Sequence, residues 1–289
     1  MKIAIIGRFD FHLECIAFLL EIYNNNSNNI DIYISTKSDK FNFIEYYLTI
    51  FNFNVIYDKF KKDILDNYDK IFKLTSNDNC LDDKNIISIL HLDGKSQRNC
   101  RSEKYISLTP YVNGNNIHYT FPIYRPKITN FSKSKIITMI GYYYDNHVDN
   151  DLLRFINLNN NYTFNFIIWG GNNNKLKNIK NVNLYSGVKT NIMVDMLNNS
   201  KYVLSKKYIY YDRFSGQLGL AMSHEIPLIV DTRTKNNYKL PGITFDENYC
   251  EIGVLDNISD EKYNALKNEV KFFKDNTLEN NKKIFKSAF

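Results

Sequence analysis

Ser215, Gly216 and Gln217 are the residues best placed by type and spacing to hold an anion, in the run from Tyr210 to Asp231, YYDRFSGQLGLAMSHEIPLIVD. A Ser hydroxyl caps unpaired backbone N–H groups, and Gly lets the backbone approach a ligand closely. The helix that follows reads as Gln217 to Ser223: Leu218, Ala221 and Met222 share an apolar face, and Gly219 and Ala221 permit close packing. His224 and Glu225 turn the chain into Ile226-Pro227-Leu228-Ile229-Val230, an apolar run that suits a strand buried on both faces. A helix that starts behind a short Ser-Gly loop at the edge of a parallel sheet favours phosphate, through its N–H groups and its dipole.

The same run resembles the nucleotide-sugar site of retaining glycosyltransferases of the GT-B fold (the group 1, family 4-like enzymes). Their signature is an acidic residue, Phe, Gly, a helix ending in Glu-Ala-Met-Ala, a Gly-x-Pro turn and an apolar strand. Here Ala221-Met222-Ser223 stands at Ala-Met-Ala, Pro227 at the turn proline, and Asp212 and Phe214 at the acidic residue and its Phe. Two positions depart: the second family glutamate, which holds the nucleotide ribose, falls on Leu220, and the glycine before the turn proline is read as Ile226. The resemblance covers roughly residues 135 to 252; in the first half it rests only on a Rossmann-like opening. It implies an α/β chain with two Rossmann-like domains facing a cleft, the donor held by the second.

The positioning elements follow that plan. Lys2 to Ile6 is an apolar strand closed by Gly7-Arg8, followed by an amphipathic stretch from His12 to Tyr23. Strands are expected at 30–35, 54–57, 68–74, 86–92 and 105–108, with a helix at 41–51. Pro110, Pro122 and Pro126 mark the end of this rhythm, so the linker is placed near 124–134 and the domains at 1–128 and 129–289. The second half restarts with a strand at 135–140 closed by Gly141, a helix at 150–158, and a strand at 162–169 closed by Gly170-Gly171. A strand at 182–185, a helix at 190–197 and a strand at 202–204 lead into the anion-binding run. Helices at 261–273 and 278–289, split near Asp275-Asn276, end the chain; in the resembled fold the terminal helix crosses back to the first domain.

Composition removes several function classes. The 289 residues suffice for two domains, and 44% hydrophobic residues fit a globular protein. The abundance of Asn, Ile, Lys, Tyr and Phe, with 11 Gly and 5 Pro, reads as the drift of an AT-rich coding sequence. The net charge of +6 is dispersed in short pairs such as Lys206-Lys207 and Lys282-Lys283, which argues against a nucleic-acid stripe and suits an anionic substrate. Cys15, Cys80, Cys100 and Cys250 lack metal spacing and a disulfide framework. No apolar run approaches the roughly 20 residues of a membrane span, and no signal peptide is read. A cytoplasmic location is expected.

Transfer from a sugar nucleotide needs the diphosphate neutralised, the sugar positioned and the acceptor hydroxyl aimed. The expected donor-binding set is Gly170, Gly171, Lys206, Lys207, Arg213, Phe214, Ser215, Gly216 and Gln217, with Lys206, Lys207 and Arg213 as phosphate cations. The family's Arg and Lys on the loop after the first strand of the second domain are missing from Tyr142-Tyr143-Tyr144-Asp145-Asn146-His147. Asp212 matches the acid that contacts the donor sugar's hydroxyls. Arg8 and His91 are the further candidates for the chemistry, and Gly7 and His12 lie on the acceptor side. His118, His147 and His224 make no metal set, and no metal or cofactor is required beyond the nucleotide-sugar donor, whose base stays open. The expected partners are that donor and a glycan or small-molecule acceptor, with no nucleic acid. A pyruvyl transferase-like enzyme and a non-catalytic binding protein on a decayed scaffold remain the alternatives, the second motivated by Leu220.

Overall fold

A computed structural model describes residues 1–9, 17–24, 27–36, 43–58, 66–74, 86–90, 104–112, 116–127, 134–142, 145–170, 173–207 and 214–289. The chain divides into two compact units. The first comprises Met1–Arg125, Tyr210–Gly216 and Thr277–Phe289, the second Pro126–Ile209 and Gln217–Asn276.

The first unit is built on seven parallel strands: β1 (Lys2–Phe9), β2 (Asn29–Thr36), β3 (Asn54–Ile56), β4 (Lys70–Leu74), β5 (Ile86–Leu90), β6 (Lys104–Ser107) and β7 (Ile117–Tyr119). Their order is β3-β2-β1-β4-β5-β6-β7, with β1 and β4 meeting where the direction of winding reverses. Helices α1 (Ala17–Tyr23) and α2 (Phe43–Leu48) belong to the same unit. The central strands are mostly apolar because both their faces are covered; all five residues of β5, Ser88 included, are buried. Ala4, Tyr33, Ile71 and Ile86 form one cluster on the sheet.

The last turns of the terminal helix complete this unit. The Phe285 ring meets Phe18 at 5.8 Å, Tyr23 at 6.0 Å and Phe72 at 6.0 Å between centroids. Asn281 is buried; it accepts from the Thr120 hydroxyl at 2.7 Å and donates to the Phe121 carbonyl at 2.9 Å. Both of its polar ends are thereby satisfied.

The second unit carries six parallel strands: β8 (Ile136–Tyr142), β9 (Thr163–Gly170), β10 (Val182–Ser186), β11 (Tyr202–Leu204), β12 (Leu228–Asp231) and β13 (Gly242–Phe245). Their order β10-β9-β8-β11-β12-β13 is the doubly wound arrangement, again with one reversal, between β8 and β11. The connecting helices are α3 (Asn150–Leu158), α4 (Thr190–Asn198), α5 (Gly216–Ser223) and α6 (Thr232–Tyr238). Phe155, Phe164, Phe166, Tyr202, Phe245 and Tyr249 anchor its core. Gly141 has φ 143° and sits at a register shift between β8 and β9, a backbone that a side chain would strain.

Several elements differ from the sequence expectation. β7, β13 and α6 are additional to it; α6 reads TRTKNNY, with almost no apolar stripe, and is started by Asp231, which accepts from the Thr234 N–H at 2.8 Å and its hydroxyl at 2.7 Å. The expected split near Asp275-Asn276 is absent, since α7 runs unbroken from Asp260 to Ala288. Leu266, Val270, Lys274, Leu278, Asn281 and Phe285 are buried at successive helical spacings, and this continuous stripe overrides the low propensity of the Asp-Asn pair. Among the described residues no helix is long and apolar enough to cross a membrane.

The carboxyl end of α5 closes in a Schellman motif, with Ile226 N–H donating to the Ala221 carbonyl and Glu225 N–H to the Met222 carbonyl. Glu225 is the left-handed residue, at φ 57°. The glycine-favouring position is therefore Glu225, two residues before Pro227, and the expectation that placed it on Ile226 is corrected. Glu225 accepts at 2.7 Å from Lys274, whose ammonium is buried on α7. The neighbouring His224 is fully buried and meets Asn198 Oδ1 through Nδ1 at 2.8 Å. Burial, and then the Lys274 charge, pull its pKa down to about 3.

Two outcomes follow for stability. Glu225→Gly relieves about 1 kcal/mol of left-handed strain but strands a buried ammonium at about 3 kcal/mol. Urea unfolding should find it about 2 kcal/mol less stable, with Lys274→Met added to it restoring most of the loss. His224 is neutral in the folded chain and protonated in the unfolded one between pH of about 6.5 and 3. Folding stability should therefore fall by about 1.4 kcal/mol per unit as pH drops through that window. His224→Leu should flatten this slope in a pH series of unfolding curves.

Candidate functional site

In open α/β sheets ligands gather outside the carboxyl ends of the strands, where the winding reverses. In the second unit that place lies at the ends of β8 and β11, and the residues leaving those two strands build the candidate site.

β11 is only three residues long, and its exit is held tightly. The Gln217 side-chain amide donates to the Leu204 carbonyl at 2.6 Å, and both groups are buried. This bond fixes the first turn of α5 at the carboxyl end of β11. Gly216 opens the helix, Ser215 precedes it, and both are partly exposed. Phe214 is buried and meets Phe121 edge to face at 5.5 Å. The Gln217 side chain is thus committed to the strand.

The loop Ser205–Lys207 is clamped by Tyr249. Its hydroxyl accepts from the Lys207 N–H at 2.8 Å and donates to the Ser205 carbonyl at 3.3 Å. Burial pushes the Tyr249 phenol well above its ordinary range, so it stays protonated and keeps both roles. The Lys207 ammonium turns to α3, 3.2 Å from Asp151 and 3.6 Å from Asp149, the residue that caps that helix. Burial alone would raise the Asp151 carboxyl; the Tyr249 N–H at 2.8 Å and Lys207 overcome it and hold it below the usual carboxylate range.

Lys206 points elsewhere. Its Nζ lies 3.0 Å from Nε2 of His147, in the short turn Asp145–His147 that follows β8. An ammonium only donates, so His147 accepts on Nε2 and carries its ring proton on Nδ1. Burial and the Lys206 charge lower the His147 pKa below that of an ordinary histidine. The contact joins the exits of β8 and β11, the pair of strands at the reversal. Gly170 ends β9 and is paired with Tyr142 at the end of β8.

Of the residues singled out in the sequence, Lys206, Gly170 and Gln217 thus leave the same edge of one sheet, and Gly216 begins the helix that Gln217 anchors. Lys207 is engaged by two carboxylates. In the first unit Gly7 is buried in β1 opposite Ile34, and Arg8 continues that strand. Asp212, Arg213, Gly171, His91 and His12 lie outside the described residues. Sequence reasoning missed His147 as a partner of Lys206, and Tyr249 and Asp151 altogether. The strand order would have pointed to His147, which is five residues past the first strand of the second half. Among the described residues no three His, Cys, Asp or Glu side chains gather as a metal site would require.

No family model matches the chain, and no curated protein does. Solved structures do match it. Anabaena HepE in complex with UDP and glucose is 9% identical over 96% of this chain and 95% of that one, with a TM-score of 0.65. T4 phage BGT in complex with UDP and Mn2+ is 14% identical over 100% and 99%, with a TM-score of 0.56. The UDP-GlcNAc 2-epimerase of Neisseria meningitidis bound to UDP-GlcNAc is 14% identical over 96% and 100%, with a TM-score of 0.53. The chain is an α/β protein of the GT-B fold, shared with glycosyltransferases and UDP-GlcNAc 2-epimerases.

Proposed function

We propose that the protein is a nucleotide-sugar-dependent glycosyltransferase that binds the donor diphosphate at the amino end of α5. The observation that carries this reading is the Gln217–Leu204 hydrogen bond, which sets that helix end at the carboxyl edge of β11, beside the strand reversal. Structures of the same fold that hold UDP, UDP and glucose, or UDP-GlcNAc support it.

When the bond between the anomeric carbon and the phosphate oxygen breaks, the diphosphate leaves with the electron pair and more negative charge. The N–H groups of Ser215, Gly216 and Gln217 and the dipole of α5 meet that charge, and Lys206 supplies a full positive one. Phe214 packs the loop ahead of the helix. Arg213 adds a second cation, Asp212 orients the donor sugar's hydroxyls, and Gly170 with Gly171 lets the loop after β9 approach base or ribose. Lys207 contributes by fixing the β11 loop to α3. On the first unit, Gly7, Arg8, His12 and His91 serve the acceptor, a glycan or other hydroxyl compound, with Arg8 and His91 taking part in the chemistry. Transfer retains the anomeric configuration and needs no metal or further cofactor; the protein works in the cytoplasm.

A second reading, a nucleotide-sugar-binding protein without turnover, is favoured by one observation. Leu220 is buried where a ribose-holding glutamate would stand and offers no acceptor.

Three outcomes test these readings. In a thermal-shift screen against UDP, GDP, CDP, dTDP and their sugars, one base should stabilise the protein, by about 2.7 kcal/mol at 100 times its dissociation constant. Ser215→Pro with Gly216→Val should abolish the shift, and Lys206→Met should weaken binding about tenfold or more, the worth of one charged hydrogen bond. With the matching donor and a panel of acceptors, anomer assignment by NMR should show retention. An inverted product would reject the retaining mode, binding without turnover would favour the second reading, and no shift with any donor would reject both.

A further inference from the structure

The contact between Lys206 and His147 has a consequence for how an anion enters. The ammonium donates into the lone pair on Nε2 of His147, at 3.0 Å, and the imidazole is neutral. An anion that draws Lys206 toward itself removes that donor. The Nε2 lone pair then faces incoming oxygen, which repels it unless the nitrogen takes up a proton. Both residues are partly exposed and follow the two strands at the sheet reversal, where open α/β sheets take their ligands.

The charges around the turn agree. Asp145 lies in the turn itself and accepts from the Lys175 N–H at 3.2 Å, and the Lys175 ammonium donates to the Val148 carbonyl at 2.9 Å. Asp149 and Asp151 on α3 are engaged by Lys207 from the β11 loop. Asp149 and Asp151 are thus engaged elsewhere, while Asp145 keeps its charge against a backbone N–H. Burial and the Lys206 charge are what weigh on His147, so an imidazolium beside Lys206 is unfavourable until an anion neutralises the pair. With the anion bound, the same two groups become a pair of positive donors.

We propose that His147 is the second cationic arm of this anion site, and that a diphosphate binds there together with one proton taken from solvent onto Nε2. The proposal rests on the reading of Lys206 and α5 as the diphosphate site. It assigns to His147 the place of the basic residues that the loop after β8 lacks in the sequence. It also makes donor affinity pH-dependent, tighter on the acid side of neutrality.

Inorganic pyrophosphate is the probe, because it carries no base or sugar. The imidazole resonances of the full chain are followed by NMR from pH 8 to 5, with and without saturating pyrophosphate, and His147 is assigned by its loss in His147→Gln. Without ligand, its titration midpoint should lie below that of an ordinary histidine and should rise in Lys206→Met. Pyrophosphate should raise it by at least one unit, which equals tenfold tighter binding to the protonated form. In His147→Gln, confirmed as folded by circular dichroism, the affinity for pyrophosphate should fall at pH 6 much more than at pH 8. A midpoint unmoved by pyrophosphate, or equal losses at both pH values, overturns the proposal. If pyrophosphate moves His147 while no nucleotide sugar binds, the anion site stands and the donor reading falls.

Discussion

A single buried hydrogen bond, from the Gln217 side chain to the Leu204 carbonyl at 2.6 Å, governs where the second unit can present charge. β11 ends after three residues, and its last carbonyl accepts from the Gln217 side chain. By taking it, Gln217 ties the first turn of α5 to the end of the strand. The rest of the edge is arranged around this point. Tyr249 pins the loop between strand and helix through both functions of its hydroxyl, and the Lys207 ion pairs fasten the same loop to α3. With its neighbours so constrained, Lys206 is the side chain left to face His147 across the two strand ends.

The far end of α5 shows how a fold tolerates an unfavourable residue where it gains a partner. A Schellman motif places Glu225 in the left-handed region, where glycine would be unstrained. The carboxylate meets the Lys274 ammonium, which α7 buries, and an unpaired charge there would cost more than the strain. His224, one residue earlier, stays neutral beside that charge and turns to Asn198. The carboxyl end of the helix therefore carries a buried polar cluster that ties α4, α5 and α7 together, while the amino end carries the exposed groups suited to a ligand.

Much of this architecture is legible in the amino-acid sequence. Most of the parallel strands are readable because strands covered on both faces are mostly apolar, and α3 coincides with its expected span of 150–158 because its stripe and Asp149 cap are strong. The helix at the anion-binding run is also readable, one residue shorter than observed. Less is legible of α6, whose seven residues carry no stripe and depend on the Asp231 cap, or of β7 and β13, short strands held by their neighbours in the sheet. The unbroken α7 is hidden for the opposite reason: Asp275 and Asn276 are weak helix formers, and only the buried stripe on either side of them keeps the helix continuous.

The sequence by itself determined the alternation of strands and helices in both halves, the Ser215-Gly216-Gln217 helix start and the lysine pair after β11, because apolar periodicity and capping residues act over a few positions. The GT-B fold class was legible only through the family resemblance of the run from Tyr210 to Asp231. Tertiary structure alone decided what each of those residues does. Which of two adjacent lysines is tied down, whether a glutamine faces a ligand or a carbonyl, and which histidine meets Lys206 all depend on strands brought side by side from distant parts of the chain. Lys206 and His147 are 59 positions apart in the chain and 3.0 Å apart in space, a relation that local residue chemistry does not encode.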